Sequence, residues 1–110
     1  MNYEHLMQDA AVAARVAAKA SMDKNPGAYG ACGFAWVTIR PARGPFVTWL
    51  KKQKIGSLAY GGGWQLWTNH VITLPGEWSQ SIDIKEDACN AFAQVLRENG
   101  IDAYAGSRLD

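Results

Sequence analysis

No acidic residue occurs between Asp23 and Glu77. Lys24, Arg40, Arg43, Lys51, Lys52 and Lys54 are therefore uncompensated along that interval, while the segment from Glu77 onward is acid-rich. The net charge of +1 conceals this dipolar arrangement. Such a small overall excess argues against a general duplex-DNA binder, which is normally more basic. Histidine is scarce: His5 and His70 have no metal-ligand spacing to another His, Cys, Asp or Glu, so no metal site is expected. Cysteine is equally sparse. Cys32 and Cys89 lie far apart with no second pair, the usage of a cytosolic chain with reduced thiols. No apolar run approaches the ~20 residues needed to span a bilayer. Glu4 and Asp9 ahead of the first apolar stretch argue against a secretory signal peptide.

Catalytic signatures are also lacking. Cys32 with His70 is a conceivable nucleophile–base pair, but a small buried thiol beside Gly33 is the better reading. Glu86 and Asp87 adjoin in sequence, so on a helix their side chains diverge by ~100° and form no acid/base couple. No motif specifies a reaction or a cofactor, and a non-catalytic protein is expected.

Aromatic residues and glycine are plentiful, and both are concentrated in the acid-free interval. It holds Trp36, Trp49, Trp64 and Trp67 of the five tryptophans, and nine of the eleven glycines. With 110 residues, 48% of them hydrophobic, the chain has the length of one domain and ample material for a core. A core of that size seldom encloses so many tryptophans, so some should face a ligand or a partner subunit.

The chain reads as helix, strand, helix, strand, an ambiguous segment, helix and strand. Residues 3–22 form an alanine-rich helix, apolar around most of its circumference apart from Arg15 and Lys19. It is either packed on several sides or shared with another subunit, which favours a homo-oligomer. Asn25-Pro26-Gly27 ends it. Phe34 to Arg40 alternates, with Ala35, Val37 and Ile39 on one face and Phe34, Trp36, Thr38 and Arg40 on the other. Pro45 suits the first position of a short helix carrying Phe46, Trp49 and Leu50, with Lys51, Lys52 and Lys54 at its end and Gly56 as its C-terminal cap. Trp64 to Thr68 is a second strand, Trp64 and Leu66 facing one way and Gln65 and Trp67 the other. Val71-Ile72-Thr73-Leu74 fits a further strand. Asp83 to Asn99 is a helix with capping-box spacing at Asp83 and Glu86, lined by Ile84, Ala88, Ala91, Phe92, Val95 and Leu96, and ended by Gly100. Ile101 to Leu109 is the last strand. This order predicts a single two-layer α+β domain over residues 1–110: a three- to four-stranded sheet with helices mainly on one face.

Two constellations suit a ligand bearing both a base and phosphate. In the loop Tyr60-Gly61-Gly62-Gly63-Trp64, consecutive glycines allow backbone N–H groups to converge on an anion, with Lys51 and Lys52 shortly before. The alternative is a plain glycine-rich turn, with the lysines a solvated helix end. Trp36, Arg40 and Trp67 share a face if their strands pair, and aromatic rings beside a guanidinium stack well on a nucleobase. The alternative is that this face is covered by the first helix or by another subunit. Gln80 and Ser81 are further contact candidates, unless Ser81 or Asp83 simply caps the next helix.

The segments Gly33-Phe34-Ala35-Trp36-Val37, Pro41, Phe46 with Leu50-Lys51, Tyr60-Gly61-Gly62-Gly63-Trp64, Gln80-Ser81 and Ser107-Arg108-Leu109-Asp110 resemble a group of small, functionally uncharacterised tailed-phage proteins, over residues 30–110. The resemblance implies a phage accessory protein in the host cytoplasm that counters host immunity by sequestering a signalling nucleotide or by blocking a defence protein. It carries over no functional residue. The resulting expectation is a non-catalytic, cofactor-free binder of a small nucleotide-like ligand. The alternatives are a protein-interaction inhibitor of a host defence enzyme such as a CRISPR effector, and a single-stranded nucleic-acid binder.

Overall fold

The computed structural model describes residues 2–24, 33–71 and 81–109. Its elements are α1 (Tyr3–Lys24), β1 (Gly33–Ile39), α2 (Pro45–Lys52), β2 (Ser57–Leu58), β3 (Trp64–Trp67), α3 (Thr68–Val71), α4 (Ile82–Glu98) and β4 (Ala103–Leu109). The four strands form one antiparallel sheet in the order β2-β3-β1-β4. From β1 onward the main elements follow the split βαβ plan, with β3 inserted between β1 and β2 and α2 and α4 as the connections. The α+β class, the four-strand limit and the one-sided helical layer all agree with the sequence.

Alternation along β1 produces the layering. Ala35, Val37 and Ile39 are buried and join Leu66 of β3, Phe46, Val47 and Leu50 of α2 and Ala88, Phe92 and Leu96 of α4 in one core cluster. Phe34, Trp36 and Thr38 point away from that cluster. On α4 the buried arc includes Ile82, Cys89 and Ala93 as well as the expected Ile84, Ala88, Phe92 and Leu96. It is broad because α4 meets β1 and β4 on one side and α1 on the other.

The first helix packs along one face and not on several sides. Its buried stripe is Leu6, Ala10, Ala14, Ala18 and Ser21, a four-residue repeat that keeps one narrow face inward. Small side chains let α1 lie close along α4, so the alanine face is covered within the chain by a helix. The rest of its circumference is exposed, with Val12 at 57% and Val16 at 64%.

Local signals at the ends of elements fared unevenly. Pro45 opens α2 as expected. The C-terminus of α2 is a Schellman turn: Lys54 N–H donates to Lys51 O and Ile55 N–H to Leu50 O. Its left-handed residue is Lys54, at φ 59°, and not the expected Gly56. The same turn closes α4, where Gly100 N–H donates to Arg97 O and Ile101 N–H to Leu96 O, with Gly100 in the left-handed position as expected. The capping box at Asp83 and Glu86 does not form. The helix begins one residue earlier, at Ile82, with Ser81 at the N-cap making no side-chain cap bond, so Asp83 falls inside the first turn. A short helix, α3, takes in Val71, where a strand was expected to start; the rest of that segment, and Asn25-Pro26-Gly27, lie outside the described residues. Among the described residues no helix is long and apolar enough to cross a membrane.

Candidate functional site

The face of the sheet turned away from the helices carries the candidate site. Strand registers place Trp67, Trp36 and Gly106 in one row across β3, β1 and β4, and Gln65, Thr38 and Tyr104 in the next. Ser57 of β2 extends the second row beside Gln65. On the other side of the tryptophan row, Phe34 pairs with Arg108.

Trp36 and Trp67 meet edge to face, with ring centroids 5.6 Å apart and planes at 68°. That arrangement suits the ring quadrupoles and leaves an indole surface open to a third planar group. Trp67 is 36% exposed. The indole of Trp36 lies across β4 because position 106 has no side chain. A Cβ there would stand 2.6 Å from Trp36 Nε1 and 2.8 Å from Cε2. Around the pair runs a groove of about 490 Å³ that includes Thr38, Gln65, Arg40 and Arg108. By register, Arg108 sits one row to one side of Trp36 and Arg40 two rows to the other. Two guanidinium groups therefore flank the aromatic pair along the strand direction, and no carboxylate is among the described residues lining this groove.

The glycine loop is the turn of the β2–β3 hairpin. Gly61, Gly62 and Gly63 all have positive φ, at 86°, 102° and 92°, which explains the run of glycine. Ala59 N–H donates to Gly63 O and Gly62 N–H to Ala59 O. Gly62 thus spends its donor within the turn, and the continuous N–H cradle for an anion is interrupted there. Gly61 and Gly63, with Gly62, Arg40 and Arg43, instead line a second, shallower groove of about 620 Å³ that also includes Asp102. Tyr60 stands fully exposed at the tip of the hairpin and contributes to the first groove.

Of the residues singled out from sequence, Trp36, Arg40, Tyr60, Gly62 and Trp67 come together in the aromatic groove, and Gly61 and Gly63 border the adjoining one. Lys51 and Lys52 line neither. Lys51 Nζ lies 5.3 Å from the Trp64 ring centroid and 3.4 Å from Ala42 O. Trp64 belongs with Leu66 on the helical side of β3, so the end of α2 sits on the far side of the sheet from the tryptophan pair. Nearness in sequence to the glycine loop gave no hint of this. Gln65 and Arg108 are groove residues that escaped sequence reasoning as site candidates. Gln65 was legible from its alternation with Trp67. Arg108 needed the β1–β4 register, a pairing between distant segments.

Cys89 and His70 are engaged outside this groove. Burial raises the Cys89 thiol to about 11, only partly offset by a hydrogen bond with Thr68 and the charge of Lys85. His70 Nδ1 accepts the Trp67 N–H at 3.1 Å, closing the first turn of α3. Cys32 and Gln80 lie outside the described residues. No family model, curated protein or solved structure matches the chain.

Proposed function

We propose that the protein binds a small phosphate-bearing, nucleotide-like ligand without transforming it. The observation that carries this reading is the Trp36–Trp67 pair, opened to solvent over Gly106 and flanked by Arg40 and Arg108. A base stacks on the indoles while its phosphate meets a guanidinium in a groove without a carboxylate. The buried thiol of Cys89 and the structural hydrogen bond of His70 favour binding over chemistry. In the phage setting implied by the sequence resemblance, such binding serves to sequester a host immune nucleotide in the host cytoplasm.

Calorimetric titration with cyclic and linear nucleotides tests the proposal. Charge-assisted bonds to phosphate contribute roughly 1.5–3 kcal/mol, so Arg40→Ala should weaken binding about ten- to a hundredfold with the fold intact. Trp36→Ala should cost about 1–3 kcal/mol through lost stacking. Unchanged affinity in both folded variants would remove the site.

A second reading rests on the hairpin beside the groove, where Leu58 is 70% exposed and Tyr60 wholly so. Apolar and aromatic groups presented on a tight turn suit a protein partner, here a host defence enzyme. That reading expects no nucleotide affinity and a stable complex that Tyr60→Ala weakens.

A further inference from the structure

Resting on the reading that this face binds nucleotides, we infer that its ligand is a single nucleic-acid strand of two or more nucleotides rather than a mononucleotide. The tryptophan pair is one of three aromatic stations on the same face, and a cation lies near each. Phe34, 40% exposed, has the Arg108 guanidinium 5.4 Å and the Lys85 ammonium 5.7 Å from its ring centroid. Tyr104, 58% exposed, has the Arg97 guanidinium at 5.1 Å. Arg40 and Arg108 flank the tryptophans between them.

Spacing makes these stations a series. Phe34 and Trp36 are two residues apart on one strand, so they repeat every ~6.7 Å along it. Tyr104 stands opposite Thr38, one row further on. Consecutive bases of an extended strand are separated by a similar distance, with a phosphate between each pair. One nucleotide fills the tryptophan station alone and leaves the Phe34 and Tyr104 rings unused. Antiparallel four-stranded sheets that display aromatic side chains on neighbouring central strands stack two or three bases in this manner. Stacking tolerates any base, because every base has a π-face.

The test is quenching of tryptophan fluorescence by thymidine monophosphate, its dinucleotide and longer oligothymidylates, with oligouridylates of equal length to separate DNA from RNA. Affinity should rise about tenfold or more from the monophosphate to the dinucleotide, as expected for one added stacked base. Phe34→Ala should abolish that gain, while Phe34→Tyr should retain it. Should Phe34→Ala fail to fold, Tyr104→Ala, at a more exposed position, should reduce the gain from longer oligomers. Equal affinity for monophosphate and oligomers overturns the strand inference and leaves the mononucleotide reading standing. Linear polyphosphate competing as well as the oligomers also overturns it, since charge alone would then explain binding. No affinity for any of these probes overturns both.

Discussion

Replacing Gly106 with alanine isolates the aromatic platform from the rest of the fold. Gly106 does not adopt a positive φ, so alanine meets no backbone strain, and its greater strand preference slightly favours folding. The whole effect falls on Trp36. The added Cβ would stand 2.6 Å from Nε1, against an ordinary contact of ~3.5 Å, so the indole must move by roughly 1 Å. β4 blocks movement into the sheet, so the indole must leave its place over Gly106. The edge-to-face contact, now at 5.6 Å between centroids, then changes its geometry. If a stacked base gains about 1–3 kcal/mol on this platform, loss of even half of it weakens nucleotide binding several-fold. Two measurements check the outcome. Near-ultraviolet circular dichroism should lose the signal of coupled tryptophans, and calorimetry should show the weaker affinity with Tm unchanged or raised. An unaltered tryptophan signal with unaltered affinity would refute the argument that Gly106 sets the position of Trp36.

Two further outcomes concern stability. Lys54→Gly should stabilise the protein by about 1 kcal/mol, raising Tm by roughly 4–8 °C, because a lysine at φ 59° occupies the Schellman position that glycine fills after α4; a lowered Tm in thermal denaturation would show that the Lys54 side chain contributes more than its backbone strain costs. Cys89 titrates higher in the folded chain than unfolded, so its contribution is complete at neutral pH and is lost as pH rises from about 9 to about 11. The stability of the parent relative to Cys89→Ala should therefore fall across that window by at most ~1.4 kcal/mol per pH unit, and a constant difference would count against the buried thiol as the cause.

Much of the fold was legible because its signals are local. Alternation in β1 and β3 placed Trp36 and Trp67 opposite the core, and the registers bear this out. Gly100 ended α4 where expected. What stayed hidden depends on relations between distant segments. The alanine stripe of α1 left open whether it packs within the chain or against another subunit, since nothing local shows that Ala10 and Ala14 meet α4. The Schellman turn at Lys54 broke the glycine rule because hydrogen bonding to Lys51 and Leu50 holds a lysine in the left-handed region. Half of the site was hidden for the same reason: Trp36 announces itself, whereas Gly106 and Arg108 acquire meaning only once β4 lies beside β1.

The segregation of charge along the chain does not survive folding unchanged, and this decides where a phosphate belongs. Pairing of β4 with β1 carries Arg108 out of the acid-rich end and into the row of Phe34, adding a cation to the aromatic groove. The turn before β4 brings Asp102 to Arg40, whose N–H donates to the Asp102 carbonyl at 2.9 Å, and places that residue on the wall of the glycine-lined groove. A carboxylate near an incoming anion opposes it, and Gly62 has already given its N–H to Ala59. Both corrections act in one direction. They weaken the glycine loop as a phosphate cradle and strengthen the guanidinium groups on either side of the tryptophans. A phosphate bound by this protein is therefore better held by Arg40 or Arg108, beside the stacking platform, than over Gly61-Gly62-Gly63. Arg108→Ala should then reduce affinity more than Gly61→Asn, a residue type that tolerates positive φ and whose Cβ there meets nothing within 4 Å.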